Sequence, residues 1–137
     1  MKSSRTFSNT AESVPEARHF TAQLLANLPP RTLDGVSLMV SELATNCIRH
    51  AGAGFSLTVE VNAHRIHVAV TDTGGGEPSL RFPGPTEPSG RGLQIIQTLS
   101  EDWGVEPSTA TMGKTVWFTH PVTALTNYPT PTPKPSA

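Results

Sequence analysis

The sequence predicts an α+β fold, a two-layer α/β sandwich in which helices cover one face of a mixed, mostly antiparallel sheet. Two segments with helical periodicity come first, at 13–28 and 33–50. Two segments that alternate apolar and polar residues follow, at 55–61 and 65–72, and a third helix with two further strands occupies 92–120. This order, in a chain of 137 residues, indicates one domain with helices in one layer and strands in the other.

The first predicted helix spans 13–28 and is amphipathic. Its apolar residues recur at helical spacing and form the stripe that we expect to be buried: Val14, Ala17, Phe20, Leu24 and Leu28. Ser13 is placed to cap this helix, because Glu16 follows three residues later at the capping-box spacing. The Pro29-Pro30 pair then ends it.

The second predicted helix runs from about Leu33 to His50. Thr32 is its candidate cap, and Asp34 lies in the first turn, where the helix dipole favours a negative charge. Gly52 follows the last turn, as is common at helix ends. We therefore expect a long helix that packs against the sheet.

The strands are predicted by their alternation. The segments FSLTVEV (55–61) and RIHVAVTD (65–72) are joined by a short turn, which predicts a β-hairpin with one buried face. A short third helix from Gly92 to Ser100 is followed by strands at 103–106 and 115–120. These elements complete the sheet.

Three segments lack such patterns. Residues 1–10 are expected to be a disordered N-terminus, and the Pro/Thr-rich tail at 121–137 is expected to be disordered because it cannot pack a core. Thr73 to Arg91 contains three consecutive glycines and then Pro, Ser and Gly, which predicts a mobile loop. The structured domain is therefore placed at 11–120.

Composition excludes several classes of function. Ten Lys and Arg residues balance eleven Asp and Glu residues, for a net charge of −1, so no basic field favours direct binding of nucleic acid. Cys47 is the one cysteine, which rules out an intramolecular disulfide. Neither a signal peptide nor an apolar run long enough to span a membrane is visible, so we expect a cytoplasmic protein.

The second helix carries a polar stripe at the edge of its apolar face. That face is formed by Val36, Val40, Leu43 and Cys47. Glu42, Asn46 and His50 follow at i, i+4 and i+8, directly beside it. A carboxylate, an amide and an imidazole in that position are typical of a cleft wall. An exposed helix flank with a partly buried asparagine is the alternative.

Two further motifs point to ligand binding. Asp72 ends the strand row that faces the helices, where a carboxylate needs a hydrogen-bonding partner, and it precedes Gly74 and Gly76. A Gly-rich hairpin turn is the alternative for this motif. The run Gly90-Arg91-Gly92-Leu93 opens a helix, whose free N–H groups and dipole suit a phosphate, although any Gly-rich helix start would match.

Taken together and in this order, the three motifs resemble those of the GHKL ATPase superfamily, and in particular its anti-sigma-factor serine/threonine kinase branch. VSELATNCIRHA (40–51) resembles the N box, DTGGG (72–76) the first Gly box and GRGL (90–93) the second. The resemblance covers about residues 10–120. It implies a two-layer α/β sandwich that binds ATP with Mg²⁺ under a mobile lid.

The resemblance also implies roles for individual residues. Asn46 would ligate the Mg²⁺ that bridges the phosphates, and Glu42 would be the general base. Asp72 would accept a hydrogen bond from the adenine amino group. The remaining residues that the resemblance places at the nucleotide are Gly74 and Gly76 beside base and ribose, Gly90, Arg91, Gly92 and Leu93 at the triphosphate, and His50 near phosphate. Arg18 resembles an arginine that contacts both partner proteins.

The function implied is that of an ATP-binding kinase that phosphorylates a small antagonist protein and thereby regulates a sigma factor, with a homodimer as its expected assembly. The alternative is a catalytically weak, nucleotide-dependent protein-binding module. Glu42 favours the enzyme, whereas the short loop between the two Gly boxes favours the binding module. A two-component catalytic domain is a third reading, disfavoured because no His-bearing dimerisation segment is visible.

Some residues depart from the motifs of this family, and others resemble motifs of a different kind of site. Strand alternation places Lys114 on the face of Val116, which argues against a contact between Thr115 and adenine. Gly113-Lys114-Thr115 ends like a P-loop, but a strand follows it where a P-loop needs a helix. His64 and His67 lie three apart on a strand and face opposite sides, so they do not predict a metal site.

Overall fold

The computed structural model describes residues 1–51, 54–72, 91–107 and 113–122. Its elements in chain order are β1 (Lys2–Phe7), α1 (Ser13–Leu24), α2 (Pro30–Asn46), a π-helical turn (Cys47–Ala51), β2 (Phe55–Val61), β3 (Arg65–Asp72), α3 (Arg91–Leu99), β4 (Asp102–Pro107) and β5 (Lys114–Pro121). The described strands form a sheet of order β1-β2-β3-β5-β4 in which every neighbouring pair is antiparallel. The predicted α+β class is confirmed, and within the described strands the pairing is antiparallel throughout.

The core lies between the helices and one face of the sheet. Alternate residues of β3, namely Ile66, Val68 and Val70, are at most 2% exposed, as the predicted alternation requires. From the helix side, α2 contributes Val36, Met39, Val40 and Leu43 to the same cluster. Helix α2 packs against α1, α3 and the sheet, so it is the central helix of its layer.

The N-terminal segment was expected to be disordered at 1–10, and this expectation is wrong. Lys2–Phe7 forms the edge strand β1, which pairs with β2 from Lys2↔Glu60 to Phe7↔Phe55. Phe7 is 4% exposed, and its ring stacks on Phe55 at 5.1 Å between centroids. The segment has one large apolar residue and no alternation, so the open edge of β2, rather than a local pattern, determines the strand.

The first two helices also differ from the prediction, and α1 ends at Leu24 instead of reaching residue 28. Ser13 does not cap α1: its Oγ donates to the carbonyl oxygen of Ser8 at 2.6 Å, and no side chain caps the helix. Helix α2 begins at Pro30, three residues earlier than expected, because proline with its fixed φ is well suited to a first helical position. Thr32 consequently lies buried inside the first turn instead of capping it.

The unpatterned segments fall mostly outside the described residues. This holds for the predicted mobile loop up to Gly90 and for the predicted tail from 123 onward. Pro121 ends β5, and the N–H of Val122 donates to the carbonyl oxygen of His64 at 3.1 Å. The ordered domain therefore extends at least to Val122. Within the described part of the chain, no helix has the length and apolar character needed to cross a membrane.

Candidate functional site

The C-terminal half of α2 carries the first part of the site. Asn46 is 3% exposed, whereas Glu42, one helical turn earlier on the same side, is partly exposed. Among the described residues, Nδ2 of Asn46 has no hydrogen-bond partner although it is buried. A buried amide nitrogen without a partner is costly, which indicates that this group is oriented toward a ligand. The side chain is therefore buried, and its Nδ2 is not satisfied by the described part of the chain.

Asp72 is the second part of the site. It ends β3 at 3% exposure, in the same buried row as Val68 and Val70, so its predicted orientation toward the helices is confirmed. One carboxylate oxygen, Oδ2, accepts a hydrogen bond of 3.2 Å from the backbone N–H of Lys114. The other, Oδ1, lies against Gly113, where a Cβ atom would overlap it. The start of β5 therefore holds a buried carboxylate in place.

Cys47 connects these two parts. Its thiol is 9% exposed, and burial, followed by the negative charge of Asp72, raises its pKa to about 12. The positive charge of Lys114 acts in the opposite direction on this pKa. Because both charges act on Cys47, the end of α2 lies close to the end of β3 and the start of β5. Buried polar groups from elements that are distant in sequence therefore come together there, at the place called the cleft below.

The π-helical turn at Cys47–Ala51 begins directly after Asn46. A single π turn interrupts the regular α-helical bonding pattern and is frequent at functional sites. His50 lies in this turn, but its side chain is outside the described residues. Its predicted position near phosphate therefore stays a prediction.

The Gly boxes are described only in part. Helix α3 begins at Arg91, so the second box lies at a helix start as predicted, with Gly92 and Leu93 in its first turn. The side chains of 91–93 are outside the described residues, as are Gly74, Gly76 and Gly90. Helix α3 packs against α2, so its N-terminal turn belongs to the helix layer that carries Asn46.

Thr115 faces away from the cleft. Its Oγ1 shares a hydrogen bond of 2.7 Å with Oγ1 of Thr71, on the sheet face opposite Asp72. Among the described residues, Gly113 and Lys114 contact Asp72, and neither was predicted to belong to the site. The alternation that places Lys114 on the buried face of β5 was the available signal. The contact itself depends on strand pairing across 42 residues.

Arg18 lies apart from this cleft, on the exposed face of α1. Its Nη1 donates a hydrogen bond of 3.1 Å to Oγ of Ser41 on α2. Ser41 in turn donates to the carbonyl oxygen of Ser37 at 3.0 Å. The guanidinium is therefore anchored across the two helices while it remains accessible on the surface.

This combination, an antiparallel sheet covered by helices with buried polar groups where α2 meets the end of β3 and the start of β5, defines the class of protein. The family model of the histidine kinase-like ATPase domain matches residues 7–120, and the chain belongs to this family. The match confirms the resemblance to the GHKL ATPases. The family binds nucleotides, so the chain is placed among nucleotide-binding domains.

Several solved chains match this fold, and one of them contains two named domains. It is the crystal structure of the RsbU and RsbW domains of Rv1364c from Mycobacterium tuberculosis, with a TM-score of 0.68 and 16% sequence identity. The similarity covers 88% of this chain and 32% of that chain, so the chain spans about a third of its length. No curated protein matches the chain significantly.

Proposed function

We propose that this domain binds ATP with Mg²⁺ in the cleft between α2, β3 and β5, and transfers the γ-phosphoryl group to a serine or threonine of a small antagonist protein. The observation that carries the proposal is Asp72, a buried carboxylate whose orientation is fixed by Gly113 and Lys114. Such a group is an acceptor suited to the exocyclic amino group of adenine, which donates hydrogen bonds.

Asn46 fits a Mg²⁺ ion. Its amide is buried and its Oδ1 is an oxygen ligand of the kind that Mg²⁺ takes, whereas Nδ2, the atom without a partner among the described residues, can only donate a hydrogen bond. Glu42 lies one turn away. No cluster of three or more His, Cys, Asp or Glu side chains that could hold a metal occurs in the described ranges. Mg²⁺ is commonly bound by one or two protein groups together with the substrate's phosphates, so Asn46 would hold it through Oδ1. When bound, the ion would neutralise charge on the phosphates.

Glu42 is the residue we assign to phosphoryl transfer. Partly exposed at the cleft wall, it is accessible to a hydroxyl group from a partner protein. As general base it would orient that hydroxyl and accept its proton, while the hydroxyl oxygen bonds to the γ-phosphorus and the bond to ADP breaks. The first turn of α3 at Arg91 would bind phosphate oxygens through its backbone N–H groups.

The proposed partners are an antagonist protein, as phosphoryl acceptor, and a sigma factor that this chain would sequester. The three boxes of the anti-sigma kinase branch support this, together with the likeness in fold to a structure that contains an RsbW domain. Arg18 is the proposed contact with both partners, because its guanidinium is anchored at the surface by Ser41. A homodimer is the proposed assembly, and both partner interactions would take place in the cytoplasm.

Calorimetric titration with ATP and Mg²⁺ tests the nucleotide site. We expect Asp72→Asn to weaken binding by about tenfold or more, because the amide presents an N–H group where the base requires an acceptor. The matched control is Asp34→Asn, which makes the same change at an exposed position of α2. A wild-type chain that binds no ATP, or an Asp72→Asn variant that binds as tightly as wild type, would refute the site.

A phosphotransfer assay with a purified antagonist protein tests the kinase step. We expect Glu42→Gln to slow transfer by about 10²–10⁴-fold while ATP binding is retained, since a general base contributes to that extent. Glu60→Gln, at an exposed position of β2, is the control. If the wild type binds ATP and the antagonist but transfers no phosphate, the chain is the nucleotide-dependent binding module instead.

A further inference from the structure

We infer that Gly113 and the backbone N–H of Lys114 are the positioning elements that make Asp72 selective for a base with an exocyclic amino group. This inference rests on the proposed nucleotide site and deepens it, because it assigns base selection to two residues beside the carboxylate. Neither residue would itself contact the base through a side chain. They act on the orientation of Asp72.

Gly113 determines where the carboxylate lies. The three atoms nearest to the position of a Cβ at Gly113 are Oδ1, Cγ and Oδ2 of Asp72, so the carboxylate occupies the space that any other residue would fill. The backbone of Gly113 is not in the left-handed region that favours glycine. The requirement for glycine therefore comes from the contact with Asp72 and not from backbone conformation.

Lys114 determines how the carboxylate is rotated. Its N–H donates to Oδ2 at 3.2 Å, on the side of the carboxylate toward β5. The terminal torsion of an aspartate is normally broad, so an isolated side chain would present its oxygens in many directions. With one oxygen hydrogen-bonded and the other packed against Gly113, rotation about this torsion is restricted.

The sheet keeps this dipeptide in place. Lys114 pairs with Pro107 of β4, and the next residue, Thr115, pairs with Thr71 of β3 and with Glu106 of β4. Because β5 is held from both sides, its first residue has little freedom to move away from Asp72. The two contacts that restrict the Asp72 carboxylate, with Gly113 and with the N–H of Lys114, are called the clamp below. They are held in place by strand pairing rather than by a loop.

A fixed, buried acceptor discriminates between purines. An amino group at position 6 donates a hydrogen bond to it, whereas the carbonyl oxygen of guanine would leave the carboxylate unpaired and repelled. A carboxylate free to rotate or to shift toward solvent could avoid that repulsion. Release of the clamp should therefore lower selectivity more than it lowers affinity for ATP.

The experiment measures binding of ATP and of GTP, each with Mg²⁺, by calorimetry on the full chain. Gly113→Ala displaces the carboxylate, and Lys114→Pro removes the N–H at the first residue of a strand, where proline is tolerated. Lys114→Gln keeps the N–H and is the matched control. We expect Gly113→Ala and Lys114→Pro each to reduce the preference for ATP over GTP about tenfold. Lys114→Gln should keep the wild-type preference within about twofold.

Amide hydrogen exchange at Lys114 provides a readout that needs no nucleotide. We expect slow exchange in the wild type and faster exchange in Gly113→Ala and in Asp72→Ala, because the acceptor is then displaced or absent. If Gly113→Ala fails to fold, Lys114→Pro tests the same selectivity.

The outcomes separate the inference from the proposed function. If the wild type prefers ATP and either folded variant, Gly113→Ala or Lys114→Pro, keeps that preference, the inference is wrong and the nucleotide site stands. If the wild type binds neither nucleotide, the proposed function fails and the inference fails with it. Reduced preference in both variants, together with an unchanged preference in Lys114→Gln, supports the inference.

Discussion

At the scale of single residues, the cleft places charged and neutral polar groups where water is largely excluded. Asp72 is stabilised there by a backbone N–H, whereas no hydrogen-bond donor within the described ranges favours the thiolate of Cys47. Burial and the carboxylate of Asp72 both oppose ionisation of the thiol. The same environment that presents an acceptor to a ligand therefore keeps Cys47 neutral.

This difference predicts a pH dependence of stability. The thiol pKa is about 12 in the folded chain against 9.0 for an ordinary thiol, so the unfolded chain loses its proton first. The contribution of the neutral Cys47 thiol to the free energy of unfolding is fully present below about pH 9 and is lost as the pH rises toward 12. Urea unfolding should show a loss of about 2 kcal/mol between about pH 8 and about pH 10.5 that is missing in Cys47→Ala. Parallel pH curves for the two proteins would contradict the prediction.

The positions of residues on their elements were predictable where a periodic pattern carried them. Asp72 could be placed on the buried face from alternation alone, and Glu42 and Asn46 on one wall from helical spacing. The partner of Asp72 could not be predicted, because Gly113 and Lys114 lie more than 40 residues away in sequence. Their contact depends on how β3 and β5 pair.

At the scale of elements, β1 shows how one aromatic residue fixes an edge strand. Phe7 is buried against Phe55 at 5.1 Å and meets Phe20 of α1 edge-on at 6.1 Å, so it joins sheet and helix layers. The other residues of β1 are mostly exposed and polar. The strand is therefore attached to the domain chiefly by its last residue and by backbone pairing.

We predict that Phe7→Ala destabilises the domain by about 3 kcal/mol, because it removes a buried ring and leaves a cavity between α1 and β2. Chemical denaturation measures this. Arg5→Ala is the control: Arg5 is exposed, and it contributes a cation–π contact at 4.9 Å from the ring, worth less than about 1 kcal/mol. Equal effects of the two substitutions would show that β1 is held by something other than Phe7.

Substitution of two glycines by alanine should change the stability of the domain in opposite directions. A Cβ at Gly35 of α2 would lie 3.5 Å from Nε2 of His120, an ordinary contact, so Gly35→Ala should stabilise the helix by about 0.5–1 kcal/mol. A Cβ at Gly104 of β4 would lie 2.8 Å from the Trp117 ring, so Gly104→Ala should cost about 1–3 kcal/mol. Thermal unfolding of both variants checks the signs. A destabilised Gly35→Ala would contradict the first.

At the scale of the whole molecule, α2 connects the two ends of the sheet. Its C-terminal part meets the end of β3 and the start of β5 at the cleft, while Gly35 near its start approaches His120 at the other end of β5. His120 is partly buried, and this burial lowers its pKa below the ordinary value of 6.5. The backbone carbonyl of Pro121 and the charge of Glu101 only partly offset that effect.

Acid should therefore weaken the packing of the helix layer on the sheet. Because the pKa of His120 is lowered in the folded chain, the unfolded chain binds a proton first as the pH falls below 6.5. The contribution of neutral His120 to the free energy of unfolding is present above that pH and is lost as the pH falls through the folded-state pKa. We expect the urea midpoint to decline from pH 7 toward pH 5 more steeply in wild type than in His120→Gln. The variant His64→Gln, at an exposed position, should follow the wild-type curve.

The sequence alone determined the layer architecture, because hydrophobic periodicity assigns each element its type and its buried face, as in β3 and α2. It also determined that Asp72 lies in the buried row of β3. Only the tertiary structure decided that residues 2–7 are a strand and that Gly113 and Lys114 hold Asp72. Both depend on pairing between strands that are distant in sequence, which leaves no periodic signal in either partner. The carboxylate is specified locally, and its orientation is a property of the folded sheet.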